Sequence, residues 1–267
     1  MSAHPAIAPT GRFCRAYFRI CFAIMLEYRA TVFLWILAGV TPLIMMFVWR
    51  HLAAGETLGV RDPKAFSFYF LVAFLSTQCC TVWVVWNVDF QVRTGTYAIQ
   101  LLRPFDPWLG EVIDNLSAYA LRMPVNLLIV AIGLTVGGAW ELIVPGRLPA
   151  YLLAVILAWQ LMFNMNYALA LLSLWSERVK SVDSWVYIML YTLGGALFPL
   201  DFLSPAWRAA IAWTPFPWMV NFPVELLAGN AQPFPGFAMQ IAWLSIMVAC
   251  HRALWTLGRR RFGAVGG

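Results

Sequence analysis

The sequence predicts an all-α integral membrane protein with six transmembrane helices, and three observations carry that prediction. Hydrophobic residues make up 62% of the 267 and charged residues only 11%, against about 25% charged in soluble domains. No single core hides so much apolar surface from water. Six uncharged runs, 31–49, 65–88, 123–140, 148–176, 184–200 and 226–250, approach or exceed the roughly 20 residues that a helical span needs. The fourteen tryptophans suit a membrane–water interface, where an indole ring meets both apolar and polar surroundings.

Residues 1–30 lead into the first span. Arg12, Arg15 and Arg19 recur at helical spacing while Phe13, Ile20 and Ile24 favour another face, the pattern of an amphipathic helix lying in one leaflet. A plain charged lead-in is the alternative. No cleavable signal peptide is evident, because residues 1–11 precede an arginine-bearing helix and not a short apolar core. Pro42, Pro124 and Pro199 fall within or at the ends of spans, where neighbouring helices can satisfy the freed carbonyls.

Between the second and third spans lies a polar segment, 87–110. Asp89 and Arg93 are four apart, a spacing that pairs on a helix. Gly95 breaks that helix, a short piece 97–102 follows, and Pro104 and Pro107 stop it. The result is a helix–turn–helix elbow; a solvated loop needs no such punctuation, whereas a docking knob does. The third span begins near Ile113, with Glu111 and Asp114 at its mouth and Arg122 inside it, a snorkelling or packing side chain or a substrate contact. Gly133, Gly137 and the Gly194–Gly195 pair allow close helix approach, within the subunit or between subunits. The run 209–224 holds Pro215, Pro217 and Pro223, too many for a spanning helix, so 201–235 reads as a re-entrant or interfacial region.

Six spans put both termini on one side. Twelve of the eighteen Lys and Arg residues fall on that side, five on the other, and Arg122 lies inside a span. The positive-inside rule then makes the termini, the elbow and the loop 176–184 cytoplasmic and the region 201–235 external. The whole chain, 1–267, reads as one transmembrane domain.

No catalytic or metal motif emerges. The five cysteines (Cys14, Cys21, Cys79, Cys80, Cys250) have neither disulfide nor metal spacing, and His4, His51 and His251 are far apart. The only lysine followed by a hydroxyl residue, Lys180, is preceded by Val179, so there is no phosphate-binding Gly-x-x-x-x-Gly-Lys-Ser/Thr loop. ATP-driven work would need another polypeptide. The net charge of +6 reads as topology, not as a nucleic-acid surface. A membrane-embedded enzyme or assembly factor without a nucleotide partner would need convergent polar groups. The densest, Asn164, Asn166 and Ser173, include two asparagines that do not share a helical face. A channel or secondary transporter is disfavoured by the lack of inverted-repeat hydropathy, of broken mid-span helices and of several buried charges.

At residues 93–104, "RTGTYAIQLLRP" resembles a segment of the membrane subunits of type-2 ABC exporters, in the branch of viologen-exporter-like permeases. It shares the Arg, the Gly and the Leu-Leu-Arg-Pro, with Tyr97 and Ala98 where that branch often carries Leu-Asp. "EYRATVFLWILAGVTPLIMMFVW" is similar to the branch's first span. Residues 194–230, with Pro199, Pro215–Phe216, Pro223 and Gly229, are similar to its fifth span and external re-entrant helices.

The resemblance implies a permease of the prokaryotic cytoplasmic (inner) membrane that exports a small or amphipathic substrate by alternating access. Its partners would be cytoplasmic ABC ATPase subunits and a second permease, identical or homologous. ATP and magnesium would be bound by the ATPase, with no cofactor in this chain. The elbow would be the coupling helix, with Asp89, Arg93, Gly95, Leu101, Leu102, Arg103 and Pro104 as its contacts. Glu177, Arg178 and Lys180 would form a secondary contact, and the N-terminal helix would lie against the ATPase. Spans two and five would line the path, with Phe68, Phe70, Trp83, Trp86, Tyr187 and Tyr191 either facing an organic cation or simply packed or lipid-facing.

Overall fold

A computed structural model describes residues 11–27, 30, 34, 37, 40–54, 62–103, 105–176 and 178–265. All regular structure among them is helical: α1 (Gly11–Glu27), α2 (Thr41–Ala54), α3 (Pro63–Cys79), α4 (Val84–Arg93), α5 (Tyr97–Leu101), α6 (Pro107–Gly137), α7 (Leu148–Leu171), α8 (Val179–Leu193), α9 (Pro205–Ala212), α10 (Phe216–Met219), α11 (Asn221–Ala228) and α12 (Pro233–Val265). Among the described residues, four stretches are long and apolar enough to cross a membrane: Pro63–Arg93, Pro107–Gly137, Pro145–Leu174 and Pro233–Arg259. Of the first expected span, 31–49, residues 31–33, 35, 36, 38 and 39 lie outside the described residues. Its later part is α2, which starts with Pro42 in its first turn and runs past Trp49 to Ala54.

The helix starts follow from local chemistry. Asp62 caps α3 by accepting from the Lys64 amide at 3.0 Å, and Asp106 caps α6 by accepting from the Trp108 amide at 2.9 Å. In each case a proline follows at the first helical position, where its missing N–H costs nothing. Pro124 sits inside α6 without ending it.

Three expected boundaries are corrected. The run 65–88 is not one helix: α3 ends at Cys79, residues 81–83 are non-helical, and α4 resumes at Val84. A broken mid-span helix is therefore present after all. The fifth helix runs from Val179 to Leu193, not over 184–200. It stops at the glycine pair because Gly195 adopts a left-handed φ of 91°, and a Cβ at Gly194 would run into the Leu190 carbonyl, which keeps that position glycine. The last long helix starts at Pro233 and not near 226, because Gly229, at φ 84°, ends α11 first.

The core forms around α3, whose side chains from Phe66 to Phe74 are all buried. Against it packs α6, at contacts where a Cβ on Gly133 or Gly137 would strike Leu71 or Ser67, so these glycines serve packing within the subunit. On the other side, α7 contacts α4, α10, α11 and, most extensively, α12. The short helices α10 and α11 fold back onto α7, and α11 also reaches α3. Tyr69 on α3 fastens them by donating to the Gly195 carbonyl at 2.9 Å and meeting the Asn221 amide oxygen at 3.0 Å. Ion pairs such as Lys64–Glu141, at 2.6 Å, close the opposite end of the bundle from the elbow.

Candidate functional site

The elbow is built by the end of α4, the turn at 94–96 and α5. Gly95 takes φ 74°, with no atom near the place of a Cβ, so its role is the left-handed turn and not close packing. Asp89 anchors the elbow. Its side chain is 1% exposed, and one oxygen, Oδ2, accepts from Arg93 Nε at 2.8 Å and from Lys180 Nζ at 3.1 Å. The first bond spans one helical turn. The second joins the elbow to the start of α8, so the two loops that sequence reasoning named separately meet at one carboxylate. The Lys180 ammonium also stands 4.6 Å from the centre of the Trp86 ring, a cation–π contact.

Arg103 turns the other way, toward the N-terminal helix. It donates to the Tyr17 hydroxyl at 3.3 Å and lies over the rings of Tyr17 and Phe105 at 5.6 and 5.9 Å. Phe13 completes the cluster, 4.7 Å from Phe105. Residue 110 is glycine where a Cβ would come within 3.3 Å of Phe105. Burial pushes the Tyr17 phenol up, with Cys21 adding to it and Arg103 opposing it. Burial first, and the nearby Asp114 carboxylate second, push the Cys21 thiol up to about 12.

With Tyr97 buried and Leu101 half-buried, the outer surface of the elbow carries exposed apolar side chains beside Arg93, Thr94 and Thr96. Leu102 is 84% exposed, Phe90 62% and Ile99 57%. Sequence reasoning missed Phe90 and Ile99. Ile99 lies three residues before Leu102, which caps the same short helix, whereas Phe90 is separated from both by the turn at Gly95, which no periodicity within one helix could show.

A second polar centre lies where α3 breaks. The phenol of Tyr187 on α8 donates to the Val82 carbonyl at 2.7 Å and accepts from its amide at 2.9 Å. From α6, the Tyr119 hydroxyl donates to the Cys79 carbonyl and the Arg122 guanidinium to the Thr81 carbonyl. Arg122 is 1% exposed and stands 4.3 Å from the Tyr119 ring centre. Backbone groups freed inside a bilayer must find partners in the protein, and here side chains of two other helices supply them. Arg122 is thus a structural donor to the interrupted helix and not a snorkelling residue.

The remaining predicted residues are dispersed. Phe68 and Phe70 are buried in the core, Trp83, Tyr187 and Tyr191 are half-buried, and Trp86 is 44% exposed beneath Lys180. Arg178 is exposed. Pro104 and Glu177 lie outside the described residues. Asn164 and Asn166 do not converge: Asn164 bonds Trp108 and Gln160, whereas Asn166 donates to the Met162 carbonyl of its own helix. No group of three His, Cys, Asp or Glu able to hold a metal occurs among the described residues.

Comparison with known families matches residues 64–266 to the family described as "ABC-2 family transporter protein". The match covers most of the chain, and the chain belongs to that family. It is thus a multi-pass membrane protein and the transmembrane component of an ABC transporter, a class that associates with an ATP-binding subunit. No curated protein matches the chain.

Proposed function

We propose that this ABC-2 family chain is the permease subunit of an ATP-driven exporter in the cytoplasmic membrane, with six spans, both termini cytoplasmic and the elbow docked in a groove of a separate ATPase. The four long stretches supply four of the spans; α2 with the residues before it, and α8, supply the first and fifth. ATP and magnesium are held by the ATPase, and this chain carries out no hydrolysis itself. A second permease, identical or homologous, completes the transport path.

The observation that supports the docking reading is the contrast within the elbow. Its charged side chains Asp89 and Arg103 are engaged inside the subunit, while Leu102 projects from the tip. An apolar residue raised on a polar loop is stabilised by burial in a protein groove. The ties from the elbow to α8 and α1 give ATPase closure two routes into the membrane domain. Closure favours one of two packings, and the elbow carries that bias.

The resemblance of "RTGTYAIQLLRP" to the viologen-exporter-like branch supports outward transport of a small organic cation. Trp83, Trp86, Tyr187 and Tyr191 remain the path candidates nearest the surface of the subunit, and Trp86 already holds a cation against its ring.

The test is purification of the tagged chain in mild detergent from its own cells, with identification of co-eluting proteins and an assay of ATP hydrolysis. Equimolar recovery of a protein carrying the phosphate-binding loop, lost on Leu102→Glu, is the expected result. Recovery of the chain alone, even after crosslinking through the elbow, overturns the docking reading.

A further inference from the structure

A cavity separate from both the elbow contacts and the interrupted helix is lined by neither set of residues. It encloses about 520 Å³ between α7, α12 and the start of α6. Along α12 its wall runs from Leu244 through Val248 to Arg252 and Thr256, a length of roughly 18 Å at 1.5 Å per residue. That is more than half of a hydrocarbon core of about 30 Å. The wall is graded: apolar at Leu244 and Val248, aromatic and charged toward the elbow end.

At the elbow end the cavity presents one cation and one anion. Arg252 and Asp106 both line it, both are exposed, and neither takes part in an ion pair among the described residues. Asp106 uses Oδ1 to cap α6, which leaves Oδ2 to accept a further N–H. His251, also in the lining, is 93% buried, and its Nδ1 has no hydrogen-bond partner. Its ring stacks at 6.4 Å on Trp108, another wall residue. Deeper, Asn164 donates to Gln160 Oε1 at 3.2 Å, so the Gln160 NH₂ is directed to other acceptors. A polar group left unsatisfied in a bilayer-facing cavity is costly, and here His251 Nδ1 is such a group beside an opening of mixed charge.

We propose that this groove is a binding site for a phospholipid of the elbow-side leaflet with a phosphoethanolamine headgroup. The phosphate pairs with Arg252, the primary ammonium donates to Asp106 Oδ2, and the ester region meets the Gln160 amide. One acyl chain lies along Val248 and Leu244. A primary ammonium fits better than a quaternary one because Asp106 Oδ2 can accept an N–H that the quaternary group lacks, and a zwitterion fits better than an anionic headgroup because the mouth carries both signs. The site lies off the proposed transport path and does not depend on the substrate or on the ATPase.

The test uses the full chain, with any subunit that co-purifies, delipidated in detergent and followed by thermal unfolding. Phosphatidylethanolamine, phosphatidylcholine, phosphatidylglycerol, diacylglycerol and soluble glycerophosphoethanolamine are added at matched concentrations. Phosphatidylethanolamine is expected to raise Tm by about 5 °C or more near saturation, and the other lipids by less than half of that. Arg252→Gln and Asp106→Asn, which keeps the helix cap, each remove most of that preference while leaving Tm in detergent alone unchanged. Leu244→Trp, which fills the groove without altering charge, removes the shift as well. Equal shifts from all three phospholipids, or an undiminished preference in Arg252→Gln, overturn the site. An equal shift from glycerophosphoethanolamine overturns the assignment to a lipid and makes the ligand a soluble phosphate ester.

Discussion

The phenol oxygen of Tyr187 lies 2.7 Å from the carbonyl oxygen of Val82 and 2.9 Å from its amide nitrogen. One side chain on α8 thus satisfies both backbone groups of a residue released between α3 and α4. Tyr187→Phe removes both bonds and keeps the ring. Each buried backbone group left unsatisfied costs about 1–3 kcal/mol, so the unfolding midpoint in detergent should fall clearly and ATPase stimulation should fall with it. An unchanged midpoint would mean that water reaches Val82, which accessibility of a cysteine placed at that position would reveal.

Leu102→Glu tests the elbow tip. The side chain touches little within the subunit, so stability should stay within about 0.5 kcal/mol of the parent, while co-purification with the ATPase drops at least tenfold. Loss of both together would make Leu102 a folding residue.

Asp89→Asn keeps the shape of the anchor and removes its charge. Arg93 and Lys180 are 43% and 35% exposed, so screening limits each pair to about 1 kcal/mol or less. The larger expected effect is geometric: spin labels on the exposed positions Thr94 and Val182 should show a broader distance distribution in Asp89→Asn. A double-mutant cycle with Lys180→Met should return a coupling of about 0.5–1 kcal/mol. A coupling near zero, with no broadening, would remove the link between the two loops.

Docking of α1 should depend on pH through Cys21. Its thiol pKa is raised from 9.0 to about 12 by burial and the Asp114 carboxylate, so the folded state holds the proton more tightly than the unfolded one. The stabilisation is therefore complete below pH 9.0 and lost as pH rises toward 12. At neutral pH, alkylation of Cys21 should be slow and should report release of α1. Arg103→Ala, which removes the bond to Tyr17 and the cation–π contacts, should accelerate it severalfold. An unchanged rate would show that Arg103 does not hold α1.

The elbow was legible in the sequence because its punctuation is local: Gly95 requires a turn, Pro107 with Asp106 starts a helix, and Asp89 and Arg93 pair across one turn. The link from Asp89 to Lys180 was not legible, since it joins residues 91 positions apart and depends on how two helices meet. The break at 81–83 left a weaker trace. Ser76, Thr77, Gln78 and Thr81 interrupt an otherwise apolar run, but hydropathy averages them away, and the groups that satisfy the break come from Tyr119, Arg122 and Tyr187. The boundaries of the fifth and last long helices were misplaced because uncharged length was weighed above glycine. Gly194–Gly195 end one helix and Gly229 separates another from the next, although no charge marks either place.

The interruption at 81–83 also has a mechanical consequence. It divides the long apolar stretch Pro63–Arg93 into two rods, and the shorter, α4, has ten residues. At 1.5 Å per residue that rod is about 15 Å long, so a tilt of about 10° at its base moves Arg93 by roughly 2.5 Å. A continuous helix would have to bend or swing as a whole to give the same stroke. Such a stroke would turn about a fulcrum gripped by Tyr187 and Arg122, deep in the bundle, and the elbow at the far end would carry α8 and α1 with it through Lys180 and Tyr17.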